Sequence, residues 1–204
     1  MDGDTGMDTN AGRMPPEVLA YIGLGSNLHD PVAQLTRAFA ALDALSGSRL
    51  LRRSALYRSR PLGPAGQPDY VNAVAAVATR LAPAALLAAL QAIEYRQGRR
   101  REGAVRWGPR VLDLDLLLYG EQTICSPQLQ VPHPGLARRE FVLYPLQEIA
   151  PQLVVPGLGR LAELVRRCPR RGLERLPESG AVLHSISESS DPVTNPDDGR
   201  TQAH

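Results

Sequence analysis

Two aspartates and a group of arginines lie within seventeen residues, from Arg99 to Asp115. Asp113 and Asp115 alternate with leucines over residues 112–116, which is the period of a half-buried strand, so both carboxylates leave the same face. Adjacent like charges repel unless a cation neutralises them, and Mg²⁺ suits one or two carboxylates combined with phosphate oxygens. The spacing therefore predicts a site that binds polyphosphate with a metal ion.

The same alternation is typical of the solvated side of an antiparallel strand, and the pattern alone leaves that interpretation open. Under either interpretation we expect both carboxylates to face solvent. All 23 basic residues of the chain are arginine, so a phosphate-binding loop that requires lysine is excluded. Any phosphate clamp must use guanidinium groups, each of which can grip two oxygens at once.

Composition predicts one globular domain, because 204 residues with 43% hydrophobic and 22% charged side chains can bury a core. No apolar run approaches the roughly 18 to 20 residues that a membrane span needs. The first ten residues lack the basic start and apolar segment of a secretory signal, so we expect a cytoplasmic protein. Cys125 and Cys168 stand far apart without metal-ligand spacing and are expected to be ordinary thiols.

The two ends of the chain differ from its centre in charge. Residues 1–16 and 178–204 carry net charges of −2 and −4, which leaves +8 on residues 17–177. Both end segments are rich in Ser, Gly, Pro and Asp and lack sustained periodicity. We therefore expect them to be disordered tails around a single domain at 17–177.

The order of the predicted elements indicates an α+β fold. Periodicity and Pro/Gly positions predict strands at 18–24, 49–57, 70–79 and at the aspartates, helices at 31–45 and 83–97, a turn at 23–27, and a loop at 59–68. This β-α-β-β-α-β order is that of ferredoxin-like sandwiches. An extra C-terminal strand near 122–125 and helices at 138–150 and 161–168 complete the prediction.

Several separated motifs, read together, strongly resemble the 6-hydroxymethyl-7,8-dihydropterin pyrophosphokinases of folate biosynthesis, over roughly residues 18–170. The motifs are Y-I-G-L-G-S-N at 21–27, R-P-L-G-P at 60–64, Q-P-D-Y-V-N at 67–72, R-W-G-P-R at 106–110 leading into L-D-L-D at 112–115, and V-P-H at 131–133. The resemblance implies a ferredoxin-like fold, ATP as co-substrate and two Mg²⁺ ions. It also implies transfer of pyrophosphate to the pterin hydroxymethyl group, with release of AMP.

The resemblance also implies roles for individual residues. Asp113 and Asp115 match the magnesium ligands, and Asp115 is a candidate to accept the hydroxyl proton. Arg99 and Arg110 match the catalytic arginines that contact the phosphates. Further positions match the nucleotide contacts, namely Gln91, Glu94, Arg101, Trp107, His133 and Arg139. The pterin contacts correspond to Leu62, Gly63, Tyr70, Asn72, Trp107 and Phe141, of which Tyr70 and Phe141 are expected to stack on the ring.

The sequence departs from the family pattern in two places. The interval from Arg99 to Trp107 is one residue longer than the commonest spacing, and Pro134 replaces a common aromatic residue. These departures affect the alignment of the loop rather than the predicted reaction.

Two other classes of protein share some of these sequence features. An RNA-recognition module shares the β-α-β-β-α-β order and would use the basic surface, but its central strands carry stacking aromatics where this chain has aspartates. A catalytically silent regulatory domain would have no need of both carboxylates and both arginines. We therefore expect small-molecule substrates, with no nucleic-acid or membrane partner.

Overall fold

The computed structural model describes residues 15–100 and 107–177. The elements of its first part are β1 (Val18–Ser26), α1 (Pro31–Asp43), β2 (Ser48–Arg53), β3 (Tyr57–Ser59), β4 (Tyr70–Thr79), α2 (Pro83–Arg96) and β5 (Asp113–Tyr119). The predicted tails at 1–16 and 178–204 lie outside these ranges, apart from residues 15 and 16.

An antiparallel sheet forms the centre of the molecule, and its first edge strand is the C-terminal β10 (Glu174–Arg175). The strand order is β10-β3-β4-β1-β5, with β2 also paired to β4. The strands β1, β4 and β5 alternate with α1 and α2 as the ferredoxin-like fold requires, so the predicted fold class is confirmed. The pairing of β1 with both β4 and β5 places the carboxylate pair on the edge strand β5, opposite two glycines of β1.

Helices α1 and α2 begin where the sequence predicts because each starts at a proline, Pro31 or Pro83. Pro31 occupies the first turn of α1, and Asp30 caps it by accepting a hydrogen bond from the Ala33 N–H at 3.2 Å. The apolar faces of α1 and α2 pack on one side of the sheet, burying Leu35, Phe39, Leu42, Leu86, Leu90 and Ile93. The two helices therefore cover one face of the sheet.

The prediction of one continuous strand at 49–57 is wrong, because the structure has two strands there, β2 and β3. Arg53 pairs with Ala75 and Tyr57 pairs with Asn72, so four residue steps on one side face three on the other. The Ser54 hydroxyl accepts a hydrogen bond from Val74 N at 3.0 Å and thereby covers the break. An extra residue of this kind bends the strand locally, and alternation alone does not reveal it.

The C-terminal part contains more elements than the sequence predicts. They are β6 (Ile124–Cys125), β7 (Gln130–Val131), a 3₁₀ turn (Leu136–Arg138), α3 (Glu140–Ile149), β8 (Val154–Val155), β9 (Gly159–Arg160), α4 (Leu161–Arg167) and β10 (Glu174–Arg175). β6 pairs with β7 outside the main sheet, whereas β10 extends its edge beside β3. Helices α3 and α4 cover the second face of the sheet, where Tyr21, Val74 and Leu117 pack against Leu143 and Leu161.

No helix in the described part of the chain is both long and apolar enough to span a bilayer.

Candidate active site

A cavity of about 280 Å³, here named the central cavity, lies over β1, β4 and β5. Eleven of the residues predicted for the site line it: Leu62, Gly63, Tyr70, Asn72, Trp107, Arg110, Asp113, Asp115, His133, Arg139 and Phe141. These residues come from positions 62–141, so the fold brings together motifs that are up to about eighty positions apart.

Two glycines of β1 form the floor of the central cavity. Gly25 lies between Asn72 of β4 and Asp113 of β5, and Gly23 lies opposite Asp115. A Cβ on Gly25 would lie 3.3 Å from Asn72 Oδ1, which is closer than a side chain ordinarily sits. The predicted turn at 23–27 is wrong in extent, because β1 continues to Ser26 and the glycines keep its surface open rather than reversing the chain.

Asp113 is held by two guanidinium groups. Its Oδ2 lies 2.6 Å from Arg110 Nη1, and its Oδ1 pairs with Arg99, which also pairs with Glu94. Burial alone would lower the pKa of Arg99, but the charges of Asp113 and Glu94 outweigh it and raise that pKa. Arg99 and Arg110 are therefore positioned by the carboxylate that they flank.

Asp115 lies on the same face, in a different environment. Its Oδ2 is 3.6 Å from Arg139 Nη1 and 3.8 Å from His133 Nε2. Burial, followed by the charge of Asp113, raises the pKa of Asp115. The carboxyl groups are 23% and 35% exposed, so the expectation that both simply face solvent is wrong: they line a cavity wall.

His133 is oriented by a backbone contact. Its Nδ1 accepts a hydrogen bond from the Gly135 N–H at 3.0 Å, which leaves the proton of a neutral imidazole on Nε2, the nitrogen nearest to Asp115. Burial lowers the pKa of His133 although Asp115 acts in the opposite direction. The imidazole is thus prepared to donate a hydrogen bond into the cavity while uncharged.

Asn27 links the loop before β4 to the loop before β5, and both loops border the central cavity. Its Oδ1 accepts a hydrogen bond from Arg110 N at 2.7 Å, and its Nδ2 donates to Pro68 O at 3.1 Å. Gln67 extends the link by donating through Nε2 to Trp107 O at 2.9 Å. Sequence reasoning placed Asn27 in a motif but gave it no role, because its partners are forty or more positions away.

Hydrogen bonds and contacts between a guanidinium group and aromatic rings fix the aromatic side of the cavity. Tyr70 Oη donates to Gly108 O at 3.0 Å, and the Asn72 amide donates to Ser59 Oγ at 2.9 Å. The Arg139 guanidinium lies 5.3 Å from the centre of the Trp107 ring and 5.9 Å from that of Phe141. The Asn72 Oδ1 atom is directed towards β1, where it is available as an acceptor.

Three of the predicted residues that the structure describes do not line the central cavity. Arg99 acts behind Asp113, and Gln91 is exposed on α2. Glu94 is 1% exposed and accepts a hydrogen bond from Leu114 N at 2.8 Å, which anchors the start of β5. Arg101, together with neighbouring Arg106, lies outside the described residues.

Sequence reasoning missed seven residues that line the central cavity: Gly23, Leu24, Gly25, Ser59, Arg60, Ala73 and Val142. Two glycines at alternate positions of an apolar strand could have indicated an open strand face. The pattern of the sequence assigns no role to the others, because tertiary contacts between distant segments bring them to the cavity.

The donor set fits magnesium that is shared with a substrate. Among the described residues there is no group of three or more His, Cys, Asp or Glu side chains able to hold a metal ion. Asp113 and Asp115 nevertheless offer two hard oxygen donors on one strand face, and Mg²⁺ commonly completes its shell with phosphate oxygens and water.

Comparison with known proteins gives consistent matches. The family profile for 7,8-dihydro-6-hydroxymethylpterin-pyrophosphokinase (HPPK) matches residues 21–151. The 2-amino-4-hydroxy-6-hydroxymethyldihydropteridine pyrophosphokinase of Pseudomonas aeruginosa is 54% identical over 157 residues, which are 77% of this chain and 96% of that protein. The Haemophilus influenzae protein of the same name is 51% identical over 150 residues, 74% of this chain and 92% of its own length.

Solved structures show the same fold at low sequence identity. Wild-type HPPK-DHPS from Plasmodium falciparum, crystallised with STZ-DHP, matches 74% of this chain with a TM-score of 0.60 and 12% identity. This chain spans 43% of that longer chain. The matches to the profile and to the bacterial proteins cover the cavity-bearing part of the sequence, and the chain therefore belongs to the 7,8-dihydro-6-hydroxymethylpterin-pyrophosphokinase family.

Proposed function

We propose that this enzyme transfers the terminal diphosphoryl group of ATP to the hydroxymethyl oxygen of 6-hydroxymethyl-7,8-dihydropterin and releases AMP. The observation that carries the proposal is the meeting of three features in one cavity: an aromatic slot, a carboxylate pair and flanking arginines. Phosphoryl transfer depends mainly on alignment and charge stabilisation, and this combination supplies both.

The pterin ring is assigned to the aromatic side of the cavity. Tyr70 and Phe141 provide stacking faces, and Leu62 and Gly63 close the slot. Asn72 binds the edge of the ring through Oδ1, because its amide nitrogen already donates to Ser59. A heterocycle in this slot would direct its hydroxymethyl group along the sheet towards the carboxylates.

The phosphates are assigned to the opposite end, which carries the charge. Asp113 and Asp115 would hold magnesium, with two ions in the full complex, and bound Mg²⁺ supplies charge neutralisation for the transferring group. The raised pKa of Asp115 supports this role, since two adjacent carboxylates need a cation to remain ionised together. Asp115 is also the candidate acceptor for the proton of the attacking hydroxyl.

Arg110, His133 and Arg139 reach the phosphate end of the cavity, and Arg99 supports it from behind Asp113. Arg99 and Arg110 would turn from Asp113 to the phosphates when a metal ion takes the carboxylate. His133 would donate from Nε2 to a phosphate oxygen without adding charge. Trp107 closes the entrance beside Arg139, while the assignments of Gln91, Glu94 and Arg101 to the nucleotide stay predictions.

The reaction type can be tested by incubating the protein with ATP, Mg²⁺ and the hydroxymethyl pterin and separating the nucleotides by chromatography. Diphosphoryl transfer produces AMP in amounts equal to the pterin consumed. Formation of ADP would instead indicate ordinary transfer of one phosphoryl group and would reject the proposal.

A further inference from the structure

A second cavity, here named the basic cavity, lies beside the central cavity. Its volume is about 500 Å³, and its walls are the loop after β3, the start of α3 and the end of α4. Arg60, Leu62, Arg139 and Phe141 line both cavities. Neither aspartate of the central cavity lines the basic cavity, so it is a neighbouring space without the catalytic carboxylates.

The walls of the basic cavity carry an excess of positive charge. Five arginines and one glutamate line it, which gives a formal net charge of +4. The glutamate, Glu140, accepts a hydrogen bond from the backbone nitrogen of Arg171. Of the five arginines, Arg139 pairs with Asp115 of the central cavity. The remaining four form no salt bridge within residues 15–100 and 107–177; they are Arg60, Arg138, Arg167 and Arg171.

Unpaired guanidinium groups around a concave space repel one another and attract a multiply charged anion. Three separate segments contribute them, so the donors approach the space from several directions. An oligophosphate presents oxygens in all these directions, whereas a carboxylate presents one planar edge. Pro61, Leu62 and Phe141 add apolar wall, which strengthens charge interactions by excluding water.

We propose that the basic cavity is a second anion-binding site, distinct from the catalytic one, for a ligand of the oligophosphate class. Its occupant would contact Arg139, which also pairs with Asp115 at 3.6 Å. Because Arg60 also lines both cavities, the two cavities share two guanidinium groups.

Calorimetric titration of the full-length protein with inorganic diphosphate, in the absence of Mg²⁺, tests this proposal. The basic-cavity variant is Arg167→Gln combined with Arg171→Gln. The matched control is Arg160→Gln with Arg166→Gln, which removes equal charge from exposed residues that line neither cavity. Arg110→Gln marks binding at the central cavity, and thermal melting checks that each variant folds.

We expect the basic-cavity variant to lose at least about tenfold in affinity for one binding event. The control pair and Arg110→Gln should retain that event, and succinate should bind it at least about tenfold more weakly than diphosphate. An equal loss in the control pair would mean only diffuse attraction and would overturn the proposal. So would an unchanged basic-cavity variant, while equal binding of succinate would overturn the assignment to oligophosphate.

Discussion

Individual residues show how far local sequence could predict this site. The alternation around Asp113 and Asp115 correctly predicted that both carboxylates share a strand face. It could not predict that Asp113 is held by Arg99 and Arg110 while Asp115 lies near His133, because those contacts depend on how distant segments fold. The two carboxylates are therefore chemically unequal although the sequence presents them as equivalent.

Replacing either aspartate by asparagine should lower turnover by at least about a hundredfold, which is on the order of 3 kcal/mol of transition-state stabilisation. The expected cause is the loss of a ligand for the metal ion. Steady-state kinetics at saturating Mg²⁺ checks this. Turnover within a fewfold of wild type for either variant would reject the assignment of that residue.

The same two variants should differ in stability when no metal is present. The folded-state pKa of Asp115 is raised, so its contribution to stability is complete below the unfolded pKa and is lost as pH rises through the folded value. Near pH 7, Asp115→Asn should therefore raise the melting temperature. Asp113→Asn should lower it, because Arg99 and Arg110 lose a charged partner. The opposite order would contradict the electrostatic account.

At the scale of elements, the helices and long strands follow from periodicity and capping, whereas loop geometry does not. The loop at 60–69 is predictable from its Pro and Gly content, but its contact with Trp107 is not. A Cβ on Gly63 would lie 2.0 Å from Trp107 O, so only glycine allows the two loops to approach this closely. The glycine is needed for space rather than for turning the chain.

Gly63→Ala should therefore separate the two loops and raise the KM for pterin by at least about tenfold, or about 1.4 kcal/mol. Nucleotide affinity should change much less. Ala65→Ser, an exposed change in the same loop, is the matched control and should leave both parameters near wild type. Equal KM values for the two variants would show that loop contact does not shape the slot.

Trp107 should report loop closure. Its side chain is 40% exposed and lies beside the Arg139 guanidinium, and its backbone has a left-handed φ of 63°. We expect substrate binding to change this conformation and the surroundings of the indole. As the only tryptophan, it should change its fluorescence when a nonhydrolysable ATP analogue and pterin are both added. An unchanged spectrum, with binding shown by calorimetry, would indicate a rigid structural indole.

At the scale of the whole molecule, composition and element order predicted the ferredoxin-like core, and the additional C-terminal strands were the main omission. Two-residue strands such as β10 carry too little pattern to be recognised, since their pairing with β3 is decided by tertiary contacts. The acidic ends at 1–16 and 178–204 contain few apolar residues to offset the entropy of ordering them.

Deletion of both acidic ends should leave melting temperature and turnover nearly unchanged. Because it removes negative charge from a basic body, apparent ATP affinity should rise modestly at low salt and return to the full-length value as ionic strength increases. Paired titrations at two salt concentrations check the trend. A large loss of activity would instead show that an end segment contributes to the site.

The cavity over β1, β4 and β5 is proposed to transfer a diphosphoryl group in one step, and the mass of the pterin product tests this most directly. Wild-type protein with ATP and Mg²⁺ should convert the hydroxymethyl pterin to a species heavier by a diphosphoryl group, with no monophosphorylated form preceding it. Asp115→Asn should abolish this product, and Asp69→Asn, an exposed change outside the cavity, should preserve it. A monophosphorylated pterin, or undiminished product from Asp115→Asn, would contradict the account.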